Sequence, residues 1–155
     1  MRMYFDADHD GELAASRSRT SFVVVFLNRA LIYRFSKIQV SLETSTFGSK
    51  LYKMKVAMEY VRGLHYTLRM MGIPVDDPAF VFGYNQSVLC KTSNPVSNLK
   101  KKRNIIAFHH VHDGFARYEW CTAYVNTHEN LADIFINPIS GEKRWKFLRM
   151  LLHLL

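Results

Sequence analysis

The chain has 155 residues, 48% of them hydrophobic and 14% aromatic, enough to bury a core and to exclude a disordered or low-complexity chain. With 21 Lys and Arg against 13 Asp and Glu it carries a formal charge of +8, which suggests polyanionic partners, nucleic acid first, or equally a plain basic surface. Two cysteines, Cys90 and Cys121, are too few for a disulfide scaffold and fit a reducing, intracellular compartment as buried thiols.

Met3 to Phe5 is a short apolar start that runs into the acidic stretch Asp6-Ala7-Asp8-His9-Asp10-Gly11, with no charged-then-apolar leader before it. Phe22 to Leu27 is rich in β-branched and aromatic residues, as a buried strand is, and is far shorter than the ~20 residues that span a membrane. Asn28-Arg29 separates it from Ala30 to Phe35, which predicts a hairpin. Ile38, Val40 and Leu42 alternate with polar residues and mark a third strand of this group. The period then changes: Leu51, Met54, Met58, Val61, His65 and Leu68 recur every three or four residues, predicting an amphipathic helix over 49–71. Gly72 and Pro74 stop it, and Gly63 inside it points to a close packing contact. Ala79 to Gly83 reads as a short buried strand. Gln86 to Thr92 and Ile105 to Phe115 read as helices, the second loosened by Gly114. Trp120 to Val125 is a strand. Arg144 to Leu154 is a closing helix whose Trp145-Leu148-Leu151-Leu152 stripe belongs to the core, with part of it exposed.

The order is therefore β-β-β-α-β-α-β-α. It describes a single α/β domain, residues 1–140 with the closing helix 141–155, built on a mixed sheet of about five strands covered by helices. The first strands fit an antiparallel meander and the later ones, separated by helices, fit parallel pairing.

Acidic residues at strand ends are the candidates for chemistry. Asp6 and Asp8 follow the first strand and Asp133 follows the last. Carboxylates gathered at one sheet edge bind Mg²⁺, a hard cation that prefers oxygen, and paired ions activate water beside a phosphate. The competing reading of each is a solvated loop aspartate. The run Lys100-Lys101-Lys102-Arg103, with Arg17 and Arg19, offers phosphate contacts or simply a solvated charge cluster. Tyr33, Tyr66 and Tyr118 offer stacking surfaces or ordinary packing. His109, His110 and His112 have the composition of a metal cluster, but neighbours on a helix point different ways. His128, shortly before Asp133, is a proton carrier or a loop histidine.

Six segments occur in an order that is specific as a set: Tyr4-Phe5-Asp6-Ala7-Asp8; Arg17-Ser18-Arg19-Thr20; Glu43-Thr44-Ser45-Thr46-Phe47-Gly48-Ser49; Met71-Gly72-Ile73-Pro74; Asn85-Gln86-Ser87; and Asn130-Leu131-Ala132-Asp133. Over nearly its whole length the chain resembles the RNase H domain at the C-terminal end of copia-type retrotransposon polyproteins. That resemblance implies an RNase H-like fold, Mg²⁺ held by four carboxylates, and hydrolysis of the RNA strand of an RNA–DNA hybrid. Asp6 matches the first carboxylate and Asp133 the last, with Asp8 as a further candidate ligand. Lys50 stands where the family has a Glu in the first turn of the helix, and Tyr84 where it has the Asp of Asp-Asn-Gln-Ser. Ile136-Asn137-Pro138 replaces the family's Thr-Lys-Pro. Asn85 and Gln86 join Lys100, Lys101, Lys102 and Arg103 as candidates for nucleic-acid contact.

Four carboxylates carry about −4 and balance two divalent ions; Asp6 and Asp133 carry about −2, and Lys50 brings this near −1. Tyr84 supplies a phenol, neutral at pH 7. The resemblance therefore implies a degenerate copy whose centre is inactive and whose Mg²⁺ binding is doubtful. No reverse-transcriptase, integrase or protease segment accompanies it, as expected for a fragment of a longer polyprotein. Two alternatives stand beside it: a non-catalytic nucleic-acid-binding module, and a transposon remnant with no biochemical role.

Overall fold

The structure, a computed structural model, describes residues 1–6, 19–38, 45–94, 96, 99, 102–133 and 140–152. Five strands form one sheet in the order β3-β2-β1-β4-β5. β1 (Arg2–Phe5) lies antiparallel to β2 (Arg19–Leu27), and β2 antiparallel to β3 (Ala30–Ile38). β4 (Ala79–Gly83) runs parallel to β1, and β5 (Trp120–Tyr124) parallel to β4. The mixed sheet follows from the connections: short turns join antiparallel strands, whereas parallel neighbours need helical crossovers. The β2–β3 hairpin turns on Asn28, whose φ of 54° is left-handed, a conformation Asn tolerates better than most residues.

Helix α1 (Thr46–Met70) begins where the Ser45 hydroxyl accepts from the Gly48 N–H at 3.2 Å. Its stripe Leu51, Met54, Ala57, Met58 and Val61 is buried against Met3, Phe5, Val23, Val25 and Val81 of the sheet. Each such side chain contributes roughly 1.5–3 kcal/mol by leaving water. The helix ends with Gly72 N–H bonded to Arg69 O and Ile73 N–H to Leu68 O, both 2.9 Å, which satisfies two of its last carbonyls. Helices α2 (Gln86–Ser93) and α3 (Ile105–Ala116) complete the cover on this face. Helix α4 (Gly141–Leu152) lies on the opposite face, where Phe147 and Leu151 pack on Val24, Phe26, Leu131 and Ala132.

Several expectations need correction. Two helices and a 3₁₀ turn at Lys102–Asn104 intervene between β4 and β5, so the order is β-β-β-α-β-α-α-β-α. Ile38 is the last residue of β3 and so belongs to the hairpin's second strand, while Val40 and Leu42 lie outside the described residues. Gly63 is exposed with nothing within 4 Å of its α-carbon substituent position, so it marks no close contact. Gly114 does the reverse of loosening α3: a Cβ there would lie 1.9 Å from the Trp120 ring, so the missing side chain is the seat of that indole. β4 is buried on one face only, with Phe80 46% exposed on the other. In the closing helix Phe147 and Leu151 are the core residues, whereas Trp145 and Leu152 are exposed.

Candidate functional site

β1 and β4 are parallel neighbours with Tyr4 opposite Phe82, so the residues that follow them, Asp6 and Tyr84, leave the sheet at the same edge. The two strands approach closely there. A Cβ on Gly83 would meet the Phe5 ring at 2.7 Å, so only glycine lets that ring lie against β4. The segment after β5 is tied to this edge by Asn130, which is fully buried. Its Nδ2 donates to Phe5 O at 3.1 Å, its Oδ1 accepts from Ala132 N–H at 3.2 Å, and its carbonyl accepts from Asp133 N–H at 3.0 Å. Asp133 is thereby fixed three residues from a bond to the residue that precedes Asp6. Both aspartate residues are buried.

Lys50, the fifth residue of α1, is 9% exposed and reaches the same edge. Its ammonium donates to the Tyr84 hydroxyl and lies 3.8 Å from the centroid of the Tyr84 ring. Asp6 and Tyr84 thus leave parallel neighbouring strands at the same end, the Asn130–Asp133 segment is tied to that end through Phe5, and Lys50 contacts Tyr84. Sequence reasoning missed two further participants. Lys143, in the first turn of α4, pairs with Asp133 Oδ2 at 2.8 Å. Lys53, one turn along α1 from Lys50, is 1% exposed. Asn130 was visible only as part of a motif; nothing local in the sequence marks Lys143, which meets Asp133 through the docking of α4. Asp6, Lys50, Lys53, Tyr84 and Asp133 all have interaction partners. Of these groups the Lys143 ammonium pairs with the Asp133 carboxylate, as a buried charge requires, and the Lys50 ammonium meets the Tyr84 phenol.

The other candidates scatter. Asp8, Arg17, Lys100 and Lys101 lie outside the described residues, as do the side chains of Arg19 and Arg103. Lys102 and Gln86 are exposed, while the Asn85 side chain accepts from Val88 N–H at 3.0 Å and caps α2. His109, His110 and His112 do not converge: among the described residues no three His, Cys, Asp or Glu side chains are arranged to hold a metal ion. His128 is exposed in a turn. Tyr33 stacks on Tyr60 at 5.6 Å, and Tyr66 and Tyr118 are exposed. Cys90 is exposed and Cys121 half-buried, so neither is the deeply buried thiol expected. Among the described residues no helix is long and apolar enough to cross a membrane.

No protein-family model matches the chain.

At the opposite end of β4 and β5, α1, the 75–77 segment and the end of α3 enclose a hollow of about 460 Å³ lined by Arg62, His65, Arg69 and Glu119 among others. Arg62 pairs with Glu119 at 2.7 Å. His65 Nε2 and, nearby on α3, His110 Nε2 are buried without a hydrogen-bond partner among the described residues. Burial, reinforced by neighbouring positive charge (the N-terminal amino group and Arg69 for His65, Arg62 for His110) and opposed by nearby acids (Glu119 for His65, Glu59 and Glu119 for His110), lowers both imidazole pKa values from 6.5. The folded state prefers both rings neutral, whereas the unfolded chain protonates them below pH 6.5. Their contribution to stability is therefore present above that pH and lost as the pH falls through 6.5 and below. Melting temperatures measured from pH 8 to pH 5 should decline across this window, and H65Q/H110Q should flatten the decline. An unchanged slope in the double variant would refute the assignment.

Proposed function

We propose that the chain is a cleavage-inactive RNase H-like domain, similar to the C-terminal domain of copia-type retrotransposon polyproteins. The five-stranded mixed sheet, antiparallel in its first three strands and parallel beyond, is compatible with that fold. One observation carries the inactivity: Lys50 lies on Tyr84 at the two positions where the family has carboxylates. Lys143 on Asp133 adds to it.

The donor set does not fit a pair of Mg²⁺ ions. Magnesium binds oxygen, by preference ionised oxygen, in a demanding octahedral arrangement. Here two carboxylates remain, a phenol replaces one lost ligand, and an ammonium replaces the other. At 4 Å and an effective dielectric of 20, like charges repel by about 4 kcal/mol per unit charge product, and a divalent ion doubles the product. The Lys143 ammonium instead neutralises Asp133 from within the chain.

The deciding experiment is a cleavage assay on an RNA–DNA hybrid with Mg²⁺ or Mn²⁺ titrated up to millimolar levels. Turnover should not exceed that of the buffer. Robust cleavage that disappears in Asp6→Asn would defeat the proposal. The charge of +8 favours, as a second reading, retained binding of nucleic acid without chemistry. A salt-sensitive gel shift without cleavage supports that reading, and absence of binding at low salt removes it.

A further inference from the structure

Among the described residues, the sheet face opposite α1 is only half covered. α4 lies over β2 through Phe147 and Leu151, which meet Val24 and Phe26. Beyond it, β4 presents Phe80 and Phe82 outward, alternating with Ala79, Val81 and Gly83 on the covered side. Phe80 is 46% exposed, and Tyr4 of β1 stacks on Phe82 at 4.8 Å with the rings 16° apart. A parallel region of sheet is ordinarily buried on both faces, and an outward strand position ordinarily carries a polar residue where it meets water. Two phenylalanines there describe a surface made to be covered.

The rim says by what. One hollow, about 620 Å³, is lined by Met1, Arg2, Asn28, Arg29 and Phe80. A second, about 610 Å³, includes Tyr4, Phe82, Tyr124, Lys146 and Glu129 in its wall. Both fall within the range of ligand sites, roughly 300–1,000 Å³. Cations outnumber acids around them, with Arg2, Arg29 and Lys146 against Glu129. The Arg2 guanidinium is held in place by donating to Asn28 O at 2.6 Å. Phe80 and Phe82, two residues apart on one strand, are roughly 7 Å apart along it, about twice the 3.4 Å rise per base of a stacked strand. That spacing suits an extended strand with bases splayed onto successive rings.

We propose that this open face of β1 and β4 binds single-stranded nucleic acid, with bases stacking on Phe80 and the Tyr4–Phe82 pair and phosphates meeting Arg2, Arg29 and Lys146. A duplex keeps its bases stacked inside and offers the rings nothing. A second copy of the chain, docked by the same face about a two-fold axis, would bring like charges together at the rim. The surface lies across the sheet from α1 and uses none of Asp6, Lys50, Tyr84 or Asp133, so it stands or falls apart from the proposal on cleavage.

The test is fluorescence anisotropy of the full chain with dye-labelled oligo-dT and oligo-U of about 10 nucleotides, in a salt series. Phe80→Ser should weaken binding at least fivefold without altering the salt slope. R2E/R29E should weaken it and reduce the slope of log K against log salt by about 1.4, since each phosphate contact on a single strand contributes about 0.7. Phe80 is half exposed, so the serine variant should keep the circular dichroism of the parent. A blunt RNA–DNA hybrid should bind the Phe80 variant as it binds the parent. No oligonucleotide binding at low salt, or equal affinity in parent and both variants, overturns the proposal. So does sedimentation showing a dimer that Phe80→Ser dissolves, because a second copy would then be the cover.

Discussion

Gly114→Ala should be the most damaging single methyl that can be added to this protein. The new Cβ would stand 1.9 Å from Trp120 Cζ2 and 2.3 Å from Cη2, far inside contact distance. The indole has no room to retreat. It is 0% exposed, its Nε1 donates to Val111 O at 3.0 Å, and the Arg62 guanidinium lies 5.1 Å from its ring. Ordinary overpacking costs about 1–3 kcal/mol, and a clash against a pinned ring should reach or exceed the upper end. At roughly 2–4 °C per kcal/mol for a chain of this size, the melting temperature should fall by about 10 °C, or the variant should not fold. A double-mutant cycle with Trp120→Leu separates this clash from helix propensity. The leucine frees space, so the cost of G114A in the W120L background should shrink by more than about 1 kcal/mol. A G114A protein melting within about 2 °C of the parent would show that α3 and β5 pack otherwise.

The same pair shows what sequence can and cannot disclose. Helix α1 was legible because its signal is periodic: Leu51, Met54, Met58 and Val61 repeat with the turn of a helix and are buried together. The β2–β3 hairpin was legible from two apolar runs around Asn28, and the parallel pairing of β4 and β5 from the helical segments between them. Gly114 was not legible, because a glycine in a helix reads as weakness unless one knows that an indole from the next strand fills its place. Gly63 misled in the opposite sense: the packing contact it suggested does not exist. β4 looked buried because five residues, Ala-Phe-Val-Phe-Gly, are apolar throughout, and only the placement of α4 reveals that one face remains open.

At the sheet edge the division is similar. Asp6 and Asp133 are legible as carboxylates after strands, and Lys50 and Tyr84 as departures from the acids of the family the chain resembles. That Lys50 would settle on Tyr84 follows from their side-chain chemistry once both face one edge, a cation over an electron-rich ring. Lys143 is different. It belongs to a helix on the other face of the sheet and reaches Asp133 only because Phe147, one turn on, anchors α4 against Val24 and Phe26. A contact between two elements that dock independently leaves no trace in spacing.

Lys143 also changes what a repair of the centre requires. From sequence alone, Lys50→Glu and Tyr84→Asp together should recreate four carboxylates. With the Lys143 ammonium 2.8 Å from Asp133 Oδ2, one of those four remains neutralised, and a metal ion must displace a cation from a carboxylate that is 5% exposed. K50E/Y84D should therefore bind Mn²⁺ weakly, and K50E/Y84D/K143S at least tenfold more tightly. The signature is a reversal of sign. Without metal, four carboxylates crowded together repel, so the triple variant should melt below the parent. With Mn²⁺ at 100 times its dissociation constant, linkage returns about 2.7 kcal/mol, or roughly 5–10 °C, while the parent should not respond. K143S alone should leave the parent's indifference to Mn²⁺ intact, because under the proposal Lys50 still stands in place of a ligand. A triple variant as unresponsive as the parent would mean that residues 50 and 84 do not share one centre with Asp6 and Asp133. A parent already stabilised by Mn²⁺ would mean that the two surviving aspartates bind metal despite their lysines, and the case for an inactive centre would fall with it.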